Sequence, residues 1–275
     1  MTLASCDSRK TAGENPFFTE WDTPHGVPPF DKILPEHFMP AFERGMSLHE
    51  AEIDAITSNK DEATFENTIL AYDDAGQMLA QTELVFGMLC AAETNDRMQA
   101  LQEQAMPLLA AHRDKIRLDD KLFVRVKEVY DRRAALGLDA EQMRLLQKTY
   151  DSFVRAGALL DAEQKARLKE INGQLSLTAV KFGNNILAEN NNFVLELKSD
   201  ELDGLPAGIR DAAREKAQQM GKGDKWVFTL HKPSLIPLLT YSTRRDLREK
   251  IYKAYLNRCN NGDEYDNKQL SLIHI

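Results

Sequence analysis

The sequence has few of the features that build disulfide-linked, metal-clustered or membrane-spanning proteins. Its three cysteines, Cys6, Cys90 and Cys259, are too few and too widely spaced for a disulfide framework or a zinc cluster. No apolar run approaches the roughly 18 residues that a membrane-spanning helix needs, so we expect no transmembrane segment. The formal net charge of −8 argues against a nucleic-acid-binding protein, because phosphate contacts require a basic surface.

Glycine and proline are also sparse, and their scarcity favours helix. The 275 residues include 14 Gly and 10 Pro, whereas helix-favouring Ala, Leu, Glu, Lys and Gln are common. Hydrophobic residues make up 43% and charged residues 28%, which is ordinary for a globular protein. The densest basic stretch, 244–258, also contains Asp246 and Glu249, so we interpret it as a solvated helix face rather than an anion site.

Apolar periodicity predicts a mostly α fold of long antiparallel helices. Helices are expected over about 35–59, from Thr64 through Cys90, from Thr94 or Asn95, from Asp119, from Asp161 to about Ala188, from near Pro206 to Gly221, and from about Thr243 to Arg258. The helix from Asp161 is expected to be the longest. Its apolar stripe is predicted to pack in the core and comprises Leu168, Ile171, Leu175, Ala179, Phe182 and Ile186.

The string LDAEQ occurs twice, at 138–142 and 160–164. In each copy an Asp can cap a helix N-terminus while the Gln three residues later reaches back to it, which predicts a capping box at Asp139 and at Asp161. The flanking residues do not repeat, so the sequence does not indicate a solenoid.

Two segments depart from the helical pattern. Residues near 193–198 alternate apolar and polar side chains and 224–230 read as a second strand, which together predict one small β-element within 193–230. Before the first helix, a segment rich in proline and aromatic residues is predicted to be an extended strap on a surface. Its expected anchors are Phe17, Phe18, Trp21 and Phe30.

The six histidines do not form a metal-binding motif. A zinc-protease helix carries two His four residues apart with Glu after the first, and the only His-Glu pair, His49-Glu50, is followed by Ile53 where the second His would stand. We therefore expect His112 and His231 to be packing or surface residues. We predict no catalytic and no metal-binding residue in this chain.

Cys6 is the one candidate for modification. The string LASC, residues 3–6, resembles a bacterial lipobox, in which the Cys is lipidated after signal cleavage. Only Met1 and Thr2 precede it, so either the start lies further upstream or the match is chance. If the lipobox is real, residues 1–15 are a flexible tether and the protein is a cell-envelope lipoprotein facing the periplasm; otherwise we expect a cytoplasmic protein.

Several stretches in order carry a resemblance to a known family. They are NPFF, PPFDKILPEHFMPAFERGMSLHEAEIDAI, FENTILA, AAETND, RLLQKTYDSFVRAGALLDAEQKARLKEINGQLS, DKWVFTLHKPSLIPLL and REKIYKAYLNRC. Together they resemble the N-terminal part of bacterial peptidyl-dipeptidases (dipeptidyl carboxypeptidases), which are zinc metallopeptidases similar to thimet oligopeptidase. The resemblance implies a two-lobed helical enzyme with a channel that admits short peptides and releases dipeptides from their C-termini.

The resemblance also implies that the zinc site is missing from this chain. The family's zinc motif lies in a C-terminal catalytic lobe downstream of anything in this sequence, so zinc is expected in the full-length enzyme and not on this chain. We expect 16–242 to be the N-terminal helical domain, 243–270 the opening of the catalytic domain, and 271–275 a non-native tail, because LSLIHI matches a translated transposon end. The alternative function is a free-standing helical binding module or lipoprotein without catalysis.

Overall fold

The protein is described by a computed structural model that covers residues 14–270. Its helices are α1 (Phe38–Ser58), α2 (Ala71–Asp74), α3 (Gln77–Ala92), α4 (Asp96–Arg117), α5 (Asp120–Asp131), α6 (Ala140–Arg155), α7 (Ala162–Asn192), α8 (Ala207–Gln219), α9 (Lys232–Tyr241) and α10 (Arg245–Leu256). The strands are β1 (Leu195–Leu197) and β2 (Trp226–Phe228), which pair antiparallel with Glu196 opposite Val227. The predicted mostly α fold with one small β-element is confirmed. Short 3-10 turns and one π-helical turn, Phe65–Leu70, connect the helices.

The described chain divides into two compact units, the first ending at Leu177 and the second beginning at Thr178. Unit 1 has two hydrophobic clusters, one built around Leu122 and Phe153 and the other around Phe38 and Phe86. Unit 2 has its own cluster, in which both strands pack with α9 and α10. Each unit therefore has the buried apolar side chains that a folded core requires.

In unit 1, α1 and α3 approach closely at Gly45. A Cβ atom at Gly45 would lie 3.0 Å from the Cα of Leu79, so only glycine fits without displacing the facing backbone. In unit 2, Gly204 has φ +82°, and its added Cβ would collide with the carbonyl oxygen of Tyr241. Gly45 is therefore required by a tertiary contact, and Gly204 both by a tertiary contact and by its positive φ.

Several helix starts are formed by the side chains expected to cap them. Asp139 and Asp161 each accept a hydrogen bond from the backbone N–H of the Gln three residues later, and each Gln side chain accepts one from the Asp backbone N–H. Asn95 and Asp119 cap α4 and α5 by accepting backbone N–H groups of the first turn. These bonds satisfy N–H groups that have no partner within the helix.

The expectation of one unbroken helix from Thr64 through Cys90 is wrong. The segment is divided into the π-helical turn, α2 and α3, with the break at Ala75 and Gly76. Gly76 has φ +77°, and its N–H donates to the Glu52 carboxylate at 2.7 Å instead of to a helical carbonyl. The contact with α1 supplies the hydrogen bond that continuation of the helix would have made.

Smaller differences occur elsewhere. Helix α7 runs four residues beyond the expected end at Ala188. The prediction that its apolar stripe packs in the core is wrong, because Ala179 and Phe182 are exposed and the other four residues of the stripe are only half-buried and lie outside the hydrophobic clusters. Phe30 is 41% exposed, so it does not anchor the strap as predicted, whereas Phe17 is buried. The last helix begins and ends two residues inside the expected bounds, because the chain turns at Arg244 and Asn257.

Candidate functional site

Two histidine side chains of unit 1 meet between α1 and α4. His49 lies on α1 and His112 on α4, and Nε2 of His112 is 3.0 Å from Nδ1 of His49. His112 is only 5% exposed and falls on the buried stripe of α4, with Leu109 and Ile116 on either side of it. His112 is therefore a packing residue, as expected. Its partner could not be foreseen, because 63 residues separate the two histidines.

Acidic and basic side chains extend this pair in one direction. The Glu50 carboxylate lies 3.5 Å from Nδ1 of His112, and its other oxygen binds the Lys115 ammonium at 2.8 Å. A carboxylate favours a proton on the ring nitrogen that faces it, so Nδ1 of His112 carries the proton. Nε2 of His112 then accepts a hydrogen bond from Nδ1–H of His49. Lys115, Glu50, His112 and His49 thus follow one another in space. His112 is the most buried of the four, and its contact with Glu50 is electrostatic rather than a hydrogen bond.

Burial determines the protonation of both rings. It lowers the pKa of His112 and of His49 below the ordinary value of 6.5, and repulsion from the positive charge of His112 lowers the pKa of His49 further. Glu50 opposes this for His112, while the hydrogen bond from Lys115 lowers the pKa of the Glu50 carboxyl itself. At pH 7 the pair is therefore neutral next to an ionised carboxylate.

Neutral imidazoles are good zinc ligands, but the side chains around this pair do not complete a metal site. A protein zinc site needs at least three protein ligands. Within residues 14–270, no group of three or more His, Cys, Asp and Glu side chains could hold a metal ion. Glu50 is engaged by Lys115, and Glu52 accepts the N–H of Gly76. The described residues do not fit a zinc site, and we assign no metal-dependent step to them.

Unit 2 contains a cavity of about 470 Å³ between α8, β2 and the start of α9. Ile209, Ala213 and Phe228 contribute apolar wall, while Lys216 and His231 lie at its rim. The volume is within the range of small-ligand sites, and the cation at the rim suits an acidic group next to an apolar one. The described residues that line the cavity include a lysine, a histidine and two hydroxyl groups but no carboxylate.

Thr229 and His231 form the nearest approach to a catalytic pair in this cavity. The Thr229 hydroxyl oxygen is 3.3 Å from Nδ1 of His231. A nucleophile–base pair is activated when a third group orients the base, usually a carboxylate. In the part of the chain that the structure describes, no carboxylate hydrogen-bonds His231. This contact is a local one at the end of β2.

The remaining candidate residues fall in different places. Cys90 is half-buried and Cys259 is buried, and burial raises the pKa of both thiols, that of Cys259 to about 11. Both thiols are therefore protonated at neutral pH and poor nucleophiles. Cys6, the predicted lipidation site, and the tail 271–275 lie outside the described residues. None of the described helices is long and apolar enough to cross a membrane.

Comparison with known proteins identifies relatives that share most of this chain. The dipeptidyl carboxypeptidase of Escherichia coli (strain K12) is 36% identical over 257 residues, which are 93% of this chain and 38% of that relative. The dipeptidyl carboxypeptidase of Salmonella typhimurium is 34% identical over the same shares. Oligopeptidase A of Escherichia coli is 25% identical over 90% of this chain and 37% of the relative. No family model matches the chain.

The resemblance to dipeptidyl carboxypeptidases is thereby confirmed. The chain spans less than two fifths of the length of the curated relatives that it matches. The relatives are peptidases by name, and the greater part of each lies outside the match.

Proposed function

We propose that this homologue of the dipeptidyl carboxypeptidases is the N-terminal part of a zinc peptidase that releases dipeptides from the C-terminus of short peptides. One observation carries the proposal: 36% identity that extends through 93% of the chain rather than through one motif. A match of this extent includes core, caps and connections together, and these are specific to one fold.

The proposal assigns different roles to the N-terminal and C-terminal parts of the enzyme. In this proposal the metal and the hydrolytic groups belong to the C-terminal part, and the absence of a side-chain group that could hold a metal within residues 14–270 is consistent with it. Bound zinc activates a water molecule for attack on a peptide bond. This chain supplies the helical wall against which the peptide and the C-terminal part are positioned. By itself it is inactive.

A hybrid enzyme tests this proposal directly. The 257 residues of the Escherichia coli dipeptidyl carboxypeptidase that match would be replaced by the matching residues of this chain. We expect the hybrid to bind about one zinc per molecule and to release the C-terminal dipeptide from an unblocked pentapeptide, measured by mass spectrometry. The isolated chain is the control and should do neither.

Two results would contradict the proposal. One is a folded hybrid that retains zinc but releases no dipeptide. The other is stoichiometric zinc with dipeptide release from the isolated chain, which would place the active site within these residues.

A further inference from the structure

Helix α3 has a solvent-facing side without any charge. Its exposed positions are Gln77, Ala80, Gln81, Leu84, Gly87, Met88, Ala91 and Ala92. Leu84 is 68% exposed and Met88 49%, which makes them two of the more exposed large apolar side chains of unit 1. We call this set of exposed positions the α3 face.

Helix α5 of the same unit shows the ordinary pattern. Its exposed positions are Asp120, Lys121, Val124, Lys127, Glu128 and Asp131, and all but Val124 are charged. Charged residues make up 28% of the chain as a whole. The α3 face therefore differs from the surface typical of this protein.

The opposite side of α3 is buried, and Glu83, the one charged residue of the helix, is half-buried and paired with Arg113 of α4 at 3.7 Å. Leu79, Val85 and Phe86 pack in the core of unit 1, while Leu84 and Met88 project on the other side at a spacing of one helical turn. A surface helix normally carries charged residues on the side opposite its buried stripe, whereas this side of α3 carries Leu84 and Met88 and no charge. The described residues of unit 1 cover α3 on one side only.

A groove runs along the α3 face. It has a volume of about 310 Å³ and lies between α3 and α4, where Phe86, Gly87, Cys90 and Met106 contribute apolar wall. Glu83 and Gln102 also line it, and the charge of Glu83 is paired with Arg113. Methionine adapts its shape to an inserted side chain. The groove is therefore suited to receive side chains from an approaching helix.

Gly87 is not explained by packing among the described residues of unit 1. A glycine in the middle of a helix costs about 1 kcal/mol relative to alanine. At Gly87 nothing lies within 4 Å of the position that a Cβ would take, and its φ is not positive. A small residue next to Leu84 and Met88 allows another backbone to come close, which would offset that cost.

We propose that the α3 face and its groove are the docking surface for the C-terminal part of the full-length protein, which contributes an uncharged apolar helix. The inference rests on the proposed function, since more than three fifths of the Escherichia coli relative lies outside the match. Permanent interfaces resemble a divided core and exclude charge, whereas transient ones are as polar as the remaining surface. The α3 face matches the permanent kind.

Hydrogen exchange in the hybrid enzyme tests the docking surface separately from activity. Amides of α3 should exchange about tenfold more slowly in the hybrid than in the isolated chain, because a covered helix opens less often. In the double variant L84E/M88E we expect this protection to be lost and the hybrid to melt at a lower temperature. The matched control is V124E, an exposed apolar position on α5 that should change neither.

The isolated chain provides the second half of the test. There L84E/M88E should leave the melting temperature unchanged and reduce binding of a hydrophobic dye. Two results would contradict the docking proposal. One is a folded hybrid whose α3 amides are unprotected, and the other is a hybrid that fails to fold while the isolated chain folds. A dimer of the isolated chain that protects α3 would also contradict it, because a second copy would then be the occupant.

Activity and docking can fail independently. A hybrid with protected α3 amides and no dipeptide release retains the docking surface and contradicts the proposed function. A hybrid that releases dipeptides with α3 unprotected contradicts the docking surface alone.

Discussion

His49 and His112 link the packing of α1 against α4 to pH, because burial holds the pKa of each imidazole below 6.5. The folded state then binds fewer protons than the unfolded state at pH values between the lowered pKa and 6.5. Stability rises with pH wherever the unfolded state binds more protons. The contribution of the pair is therefore fully present above pH 6.5 and decreases as the pH falls below it.

We expect the free energy of unfolding to decrease between about pH 7 and about pH 5.5, measured by urea denaturation at fixed ionic strength. The variant His112→Gln should flatten this dependence, because a glutamine amide can take the place of Nε2 without titrating. The control Val124→Ala changes an exposed, non-titratable side chain outside the pair and should keep the wild-type slope. An unchanged slope in His112→Gln would show that other groups cause the pH dependence.

At the scale of single elements, some helix ends are fixed by residues close in sequence and others by contacts with a distant helix. The capping boxes at Asp139 and Asp161 involve residues three apart, so they follow from the LDAEQ strings alone. The break at Gly76 depends on Glu52, which lies 24 residues earlier in the chain. The caps were predictable for this reason, and the break was not.

Replacing the cap of α6 tests the local cause. Asp139→Ala removes the acceptor for the backbone N–H groups of Glu141 and Gln142 and should lower the free energy of unfolding by about 1 kcal/mol. Asp139→Asn keeps a side-chain oxygen at the same place and should lower the free energy of unfolding by only about 0.3 kcal/mol. Urea denaturation of both variants measures the difference. Equal losses would mean that charge, rather than the hydrogen bond, stabilises the start of α6.

At the scale of the molecule, stability comes from side chains that meet across several helices. Phe153 of α6 is 1% exposed, and its ring lies 5.2 Å from that of Tyr72 and 6.1 Å from that of Phe123. These contacts join α2, α5 and α6 in one cluster of unit 1. A substitution at Phe153 should therefore destabilise all three helices of the cluster.

We expect Phe153→Ala to lower the free energy of unfolding by about 3–5 kcal/mol, since it leaves a cavity in a packed core. Amides of α5 and α6 should lose protection from hydrogen exchange together. The comparison is Val124→Ala, which removes an exposed side chain and should change stability by less than about 0.5 kcal/mol. A loss confined to α6 would show that the cluster does not unfold as one unit.

The resemblance to peptidases also extends over the whole molecule rather than one element. Identity along nearly the whole chain, rather than within one motif, identifies the relatives. The relatives continue well beyond the match, so catalysis is proposed for the protein as a whole and docking for the α3 face. The hybrid enzyme separates the two.

The sequence by itself determined the helical fold class, the starts of the capped helices, the place of the β-element and the relatives. Each of these depends on residues near one another in the chain or on their order. Only the tertiary structure decided the break at Gly76, the pairing of His49 with His112 and the exposure of Leu84 and Met88. These depend on which faces of different helices meet, and periodicity shows that a face is apolar without showing what covers it.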